Sequence, residues 1–180
     1  MKKYYRRILE YLRGEPQNLD KLIKRGLKVG KNFHRMGWVT IDPSHCYHIS
    51  IGDDVTLAPR VHILAHDAST AMFLGKTRAA NVTIGNNVFV GAGTIILPGV
   101  QIGSRVIIGA GSVITKDIPD NSLAVGNPAR VVCTIDSYLD KEKAKMHPEN
   151  TFVGLDWEKP DDIAKAIAAA DTYGEIFVGG

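Results

Sequence analysis

The stretch IGNNVFVGAGTIILPGVQIGSRVIIGAGSVI, residues 84–114, repeats with a period of six. Ile84, Val90, Ile96, Ile102, Ile108 and Ile114 place a large aliphatic side chain at every sixth position, and glycine directly follows four of them. An amphipathic helix repeats every 3.6 residues or so and a half-buried strand every second residue, so neither accounts for the pattern. A six-residue unit fits one short strand plus a turn, its aliphatic residue pointing inward and its glycine permitting a tight, often positive-φ corner. Three such units close one coil of a triangular prism. Residues eighteen apart then stack, which predicts Ile84 on Ile102, Val90 on Ile108 and Ile96 on Ile114 at about 4.8 Å, the spacing of neighbouring strands. The fold expected is a parallel β-helix.

Working backwards, Ile51-Gly52, Leu57 and Ile63 keep the six-residue step, and Val29-Gly30 and Met36-Gly37 look like looser units. About four or five coils are expected. From Ile63 to Ile84 is twenty-one residues, three more than one full coil, so the frame slips and a segment must leave the prism within Asp67 to Asn81, DASTAMFLGKTRAAN. Loops that leave a repeat scaffold commonly carry its binding chemistry. The apolar cluster Met72, Phe73 and Leu74 in this loop is expected to pack against a neighbouring chain or against its own coils.

The flanks differ in character. Residues 1–26 read as one or two short helices, with Tyr5, Ile8, Leu9 and Leu12 at helical spacing and a break at Gly14 and Pro16. After Val132 the glycine period stops. Asp136 to Met146 is expected to be helical, as is the alanine-rich Asp161 to Ala170 behind Pro160, with residues 147–158 irregular between them. The division expected is a helical segment at 1–26, a β-helix domain at 27–132 with a loop at about 67–81, and a helical extension at 133–180. A chain of 180 residues can bury one substantial core, and a formal net charge of +3 argues against a nucleic-acid partner. No apolar run is long enough for a signal peptide or a membrane span. Cys46 and Cys133 form no spaced pair, which fits free thiols in the cytoplasm.

Histidines gather beside the slip: His45, His48, His62 and His66. Asp42, His45 and His48 precede His66 by roughly one coil, so stacking can bring them beside it. A buried carboxylate can orient an imidazole, which makes Asp42 and His45 candidates for positioning a base or an acceptor. His62 reads as structural.

Three stretches carry a family resemblance: IGDDVTLAPRVHILAHD at 51–67, IGNNVFVGAGTIILPGVQIG at 84–103, and IGAGSVITKDIPDNSLAVGNPARVV at 108–132. Together they resemble the hexapeptide-repeat acyltransferases, in particular the maltose and galactoside O-acetyltransferase branch and its relatives found beside capsule and lipopolysaccharide synthesis enzymes. The resemblance covers about Val29 to Val132, and GNPARVV discriminates best. It implies an all-β core wound as a left-handed parallel β-helix, and direct transfer of an acetyl group from acetyl-CoA to a hydroxyl of a sugar or glycan precursor, with no metal. It implies His66 as general base, a role suited to an imidazole near neutral pH. It implies coenzyme contacts at Ala92 and Ala110 in the two GAG corners, at Thr115 and Lys116, and at Arg130, the two cations serving the phosphates. Phe89 matches a tryptophan that lines the family's site. The resemblance also implies a homotrimer, with each site between two chains. Two departures stand out. Cys133 occupies the place of a second arginine, and the family's acceptor-binding asparagine and aspartate have no counterpart in DPSHCYH at 42–48, so the acceptor stays open. The zinc hydratases of the γ-carbonic anhydrase type share the prism and gather three imidazoles, which makes them the alternative function; this sequence lacks their ligand spacing.

Overall fold

A computed structural model describes residues 17–179. Residues up to Ile135 form one compact unit and Asp136 onwards a second.

The first unit is the expected parallel β-helix. Its first coil is β1 (Lys28–Val29), β2 (His34–Arg35) and β3 (Thr40–Ile41), and its second is β4 (Ile49–Ile51), β5 (Val55–Leu57) and β6 (His62–Ile63). An excursion follows, opened by β7 (His66–Asp67) and closed by β8 (Arg78–Ala79). The third coil is β9 (Val82–Ile84), β10 (Val88–Val90) and β11 (Ile95–Ile96); the fourth is β12 (Gln101–Ile102), β13 (Val106–Ile108) and β14 (Val113–Ile114). Stacking builds three parallel faces: β1-β4-β9-β12, then β2-β5-β10-β13 continued by β15 (Ser122–Gly126), and β3-β6-β11-β14. β16 (Ala129–Thr134) turns back antiparallel on β15 through a cis Asn127–Pro128 peptide.

The register is the one the period demands. Ile84 pairs with Ile102, Val90 with Ile108 and Ile96 with Ile114, while Ile51, Leu57 and Ile63 sit one coil below the same columns. All nine of these side chains are buried. In the first coil the inward residues are Val29, Arg35 and Ile41, again at steps of six. Met36, read above as a repeat position, is instead 52% exposed. Arg35 is accommodated because this coil ends the stack, and its guanidinium donates to the Gln17 carbonyl. Leu22, on the helix Leu19–Lys24, and Leu27 join the same core cluster at this end. The remainder of the expected N-terminal helices, residues 1–16, lies outside the described residues.

The repeat glycines serve a different purpose from the one expected. A Cβ on Gly85 would fall 2.7 Å from the Gly103 carbonyl, so close stacking of coils requires its absence. The positive φ at these corners falls two residues after the glycine, on Asn32, Asp54, Asn87 and Arg105. Asparagine and aspartate tolerate that left-handed conformation better than most side chains. Polar residues beside them close a ladder: the backbone N–H of Lys31, Asp53, Asn86 and Ser104 each donates to the side chain of Asp53, Asn86, Ser104 and Asp120 in turn. Corner N–H groups are thereby satisfied coil by coil. At the opposite corner glycine does adopt positive φ, at Gly93 and Gly111, both +69°.

Two insertions interrupt the winding. From Ile63 to Ile84 is twenty-one residues where one step needs six, and the surplus forms the β7–β8 hairpin with a short helix, Ala71–Leu74, at its tip. Met72 and Phe73 there are 88% and 83% exposed on this chain. The second insertion is residues 42–48, which lie between β3 and β4 and include a 3-10 turn at Cys46–His48.

The second unit contains the helices Ile135–Lys143, which begins at the boundary, and Pro160–Tyr173, with proline in its first turn. Residues 147–158 are not wholly irregular as expected: Thr151–Val153 pairs in parallel with Phe177–Gly179. The buried Asn150 side chain holds this small fold, donating to the Lys145 and Glu175 carbonyls and accepting from the His147 N–H. Among the described residues no helix is long and apolar enough to cross a membrane.

Ile102 is 2% exposed in the middle of the aliphatic stack, so Ile102→Ala is expected to lower the free energy of unfolding by about 2–5 kcal/mol. The measurement is the shift in urea midpoint at unchanged slope.

Candidate active site

Both insertions leave the prism along one edge, the line of corners where the third face meets the first. Asp42 follows β3 there, and Ala65 and His66 follow β6 one coil on. Coil stacking makes them neighbours: the Asp42 N–H donates to the Ile63 carbonyl, and the Ala65 N–H returns to Asp42 Oδ2.

Asp42 is 1% exposed, a charge that burial alone would disfavour. Five donors compensate. Oδ1 accepts from the Ser44 N–H at 3.0 Å, the Ser44 hydroxyl at 2.9 Å and the His45 N–H at 3.0 Å. Oδ2 accepts from the Ala65 N–H at 3.0 Å and from His66 Nδ1. Desolvation pushes the carboxyl up, but the bonds from His66, Ser44, His45 and Ala65 outweigh it and hold the group well below the usual carboxylate range. Asp42 is therefore ionised. An ionised carboxylate only accepts, so His66 Nδ1 carries the proton, and in the neutral ring Nε2 presents its lone pair away from Asp42. His66 is partly exposed, so that nitrogen belongs to a ring solvent can reach.

The other histidines divide. His45 stacks on His66, ring centroids 4.4 Å apart and planes 29° off parallel. His48 Nδ1 meets Asn81 Oδ1 at 2.7 Å, tying the first insertion to the end of the second. His62 lies on the outward row of the third face, between Thr40 and Ile95. Asp42, His45 and His66 each offer a ligand atom within 4.8 Å, the donor set of a metal site. Against that use, His66 turns its protonated nitrogen to the carboxylate, and both carboxylate oxygens are already filled.

The remaining sequence candidates fall into two columns, one at each edge of the third face. Thr115 and Lys116 follow β14, exposed, on the same edge as His66 and two coils along. Ala92 and Ala110 precede β11 and β14 on the opposite edge, stacked so that the Gly111 N–H donates to the Ala92 carbonyl at 2.8 Å. The turn leading to Arg130 caps this second column: the Gly126 N–H donates to Ser112 Oγ at 3.1 Å, and Arg130 stands exposed at the start of β16. Phe89 projects outward from the middle of the second face, 44% exposed, which removes it from the core. One chain thus separates His66 from Ala92, Ala110 and Arg130 by the width of a face.

Ser44 escaped the sequence reading. Its signal was present, since aspartate two residues before serine is the pattern of an Asx turn. Asn81 and Arg78 were also missed; the Arg78 guanidinium donates to the Pro98 carbonyl at 3.0 Å and pins the hairpin to the third coil.

The stacked six-residue coils and the edge histidine define a class, and comparison with known proteins agrees. The family model described as bacterial transferase hexapeptide (six repeats) matches residues 81–116. Protein CapG of Staphylococcus aureus is 41% identical over 149 residues, which span 78% of this chain and 83% of that protein. A crystal structure of a maltose O-acetyltransferase from Clostridium difficile 630 is 33% identical with a TM-score of 0.54, covering 73% of this chain and 84% of its own. A galactoside acetyltransferase in complex with coenzyme A is 29% identical with a TM-score of 0.54, covering 76% and 79%. The chain belongs to the hexapeptide-repeat acyltransferase family and is an acyltransferase.

The depressed Asp42 ionisation makes stability depend on pH in a definite direction. Its contribution is complete above the unfolded-state value of about 3.9 and is lost as pH falls further. The gap in urea midpoint between the wild type and Asp42→Asn is expected to be largest near pH 6 and to narrow progressively below about pH 4.

Proposed function

We propose that this protein is an acetyl-CoA-dependent O-acetyltransferase acting on a hydroxyl of a sugar or glycan precursor, with His66 as general base. The observation that carries the reading is the buried Asp42 carboxylate bonded to His66 Nδ1, which leaves Nε2 as the nitrogen turned away from it on a partly exposed ring. Nε2 takes the acceptor hydroxyl proton as the oxygen attacks the thioester carbonyl, and Asp42 stabilises the imidazolium that forms. Backbone N–H groups at the coil corners steady the oxyanion. Collapse of the tetrahedral intermediate breaks the C–S bond, and His66 returns its proton to the departing thiolate. No covalent acyl-enzyme is required. The sugar acceptor rests on the sugar O-acetyltransferases among the relatives. A reducing cytoplasm, where acetyl-CoA is made and both free cysteines persist, is the compartment that suits the reaction.

The split of the candidate residues between two edges supports a homotrimer. In a closed three-fold ring, the His66 edge of one chain meets the Ala92 edge of the next, and three identical clefts result. The outward rows support the same arrangement. The first face shows Lys28, Ser50, Thr83 and Gln101, polar throughout, whereas the second shows His34 and Thr56 in the first two coils and then Phe89, Ile107 and Leu123, and the third Thr40 and His62 and then Ile95 and Val113. The apolar parts of these two faces, from the third coil onward, flank the Ala92 edge and are the ones to bury. Met72 and Phe73, bare on one chain, pack against the neighbour in this ring. Small side chains at Ala92 and Ala110 let the pantetheine amides approach the backbone, while Thr115, Lys116 and Arg130 serve the coenzyme, the two cations at its phosphates. Phe89 covers the pantetheine or the sugar.

His66→Ala is expected to lower kcat by about 10²–10⁴-fold while leaving the KM for acetyl-CoA unchanged, measured by free-thiol release. Sharing of sites is tested by mixing two inactive variants, His66→Ala and Ala110→Trp, through subunit exchange. Every mixed trimer regains one intact cleft, so activity is expected to return to about a quarter of the wild-type value. No recovery from a confirmed mixed trimer overturns the shared site.

A further inference from the structure

The 42–48 insertion does more than supply Asp42. Ser44 Oγ lies 2.9 Å from Asp42 Oδ1, and because that carboxylate can only accept, the Ser44 hydroxyl proton is committed to it. The same Ser44 oxygen lies 3.0 Å from His45 Nδ1 and has only lone pairs left to offer. His45 Nδ1 must therefore donate, and its proton is fixed on that nitrogen. The relay gives His45 the tautomer that Asp42 gives His66 directly. Both rings turn Nδ1 toward the same carboxylate, His45 at 4.0 Å, and they stack at 4.4 Å. Their two Nε2 atoms consequently stand side by side on the far side from Asp42, each an unfilled acceptor on a partly exposed ring. A general base needs only one such atom.

We infer that the acceptor is recognised as a pair of adjacent hydroxyls on a sugar ring, one passing its proton to His66 Nε2 and its neighbour donating a hydrogen bond to His45 Nε2. This rests on the acetyl-transfer reading above and narrows its substrate class. Hydroxyls on adjacent carbons converge when they are both equatorial, or one axial and one equatorial; a trans-diaxial pair points apart and is rejected. A lone primary alcohol satisfies His66 but leaves His45 unfilled. Tyr47, 52% exposed with its ring 5.8 Å from His45, provides an apolar wall for the C–H face of the same sugar. His45 is thus a specificity residue that touches substrate, and Ser44 is a positioning residue that acts through it.

The test has two arms. In histidine-labelled protein near pH 8, long-range proton–nitrogen correlation spectra assigned with His45→Gln are expected to show His45 protonated at Nδ1, and Ser44→Ala is expected to release a population protonated at Nε2. Finding His45 protonated at Nε2 in the wild type overturns the relay. In the second arm, methyl β-D-galactopyranoside and its four monodeoxy derivatives are compared by thiol release from acetyl-CoA. Removing the acetylated hydroxyl abolishes turnover, and removing the hydroxyl beside it is expected to lower kcat/KM about tenfold or more. In His45→Ala that second penalty is expected to shrink to about twofold or less, since no acceptor remains for the neighbour to fill. A penalty of equal size in both enzymes overturns the assignment of His45 while leaving acetyl transfer standing. Acetyl-CoA binding without thiol release on any of the five sugars overturns the sugar acceptor, and with it the diol.

Discussion

Every feature of this molecule depends on coils lying in register, each backbone strand bonded to its counterpart in the next coil and each inward aliphatic resting on the one below. The ladder and the aliphatic column enforce each other. Sliding one coil by a single residue would turn Ile84 or Ile102 out to solvent and bring Thr83 or Gln101 inward. Such a shift would expose aliphatic surface and strand polar groups throughout that coil. Glycine beside the column is part of the same constraint, because a Cβ at Gly85 would meet the backbone above it. The prism is rigid where it repeats.

That rigidity lets irregularity be useful. An insertion at a corner leaves the columns before and after it undisturbed, as the pairing of Ile41 with Ile63 and of Ile51 with Ile84 on either side of the insertions demonstrates. Asp42 and His66 are twenty-four residues apart in the chain, yet register alone puts the end of β3 beside the end of β6. The backbone that binds Asp42 is the backbone released from strand pairing: Ser44 and His45 turn back onto it within the insertion, and Ala65 reaches it from the next coil. A buried carboxylate requires several fixed donors, and only a chain segment free of the ladder has N–H groups to give.

How much of this was legible in the sequence follows from the same physics. Periodic positions announce themselves, so the columns, the excursion after His66 and the closeness of Asp42 and His45 to His66 were all readable from spacing. Positions at the ends of the stack were harder. Arg35 holds an inward place because, among the described residues, no further coil stacks on the first one, and Met36, the nearest aliphatic to the expected position, lies one residue out of phase. The first insertion hid for a similar reason: Ile41 to Ile51 is ten residues, and without Arg35 no earlier frame existed against which to see the slip. The role of the repeat glycines was misread because sequence reveals that a Cβ is missing but not which atom would collide with it. Pairing of Thr151–Val153 with Phe177–Gly179 joins distant segments outside the repeat, where periodicity has nothing to report.

Function is confined to the edges because the interior cannot host it. Apart from Arg35 in the first coil, the six-step columns hold aliphatic side chains, and a charged or hydrogen-bonding group in the middle of the stack would meet neither water nor free backbone partners. The faces are flat ladders whose outward rows offer side chains but no concavity. Corners alone combine backbone freed from pairing with access to a second molecule. Each corner of a triangular prism is nevertheless convex, and a convex edge cannot surround a substrate. The edge bearing His66 and the edge bearing Ala92, Ala110 and Arg130, which the proposed function pairs, are held a full face apart in one chain. On the proposed function, a thioester is enclosed where the edge of one prism meets the edge of another, which is why the proposed site lies between chains.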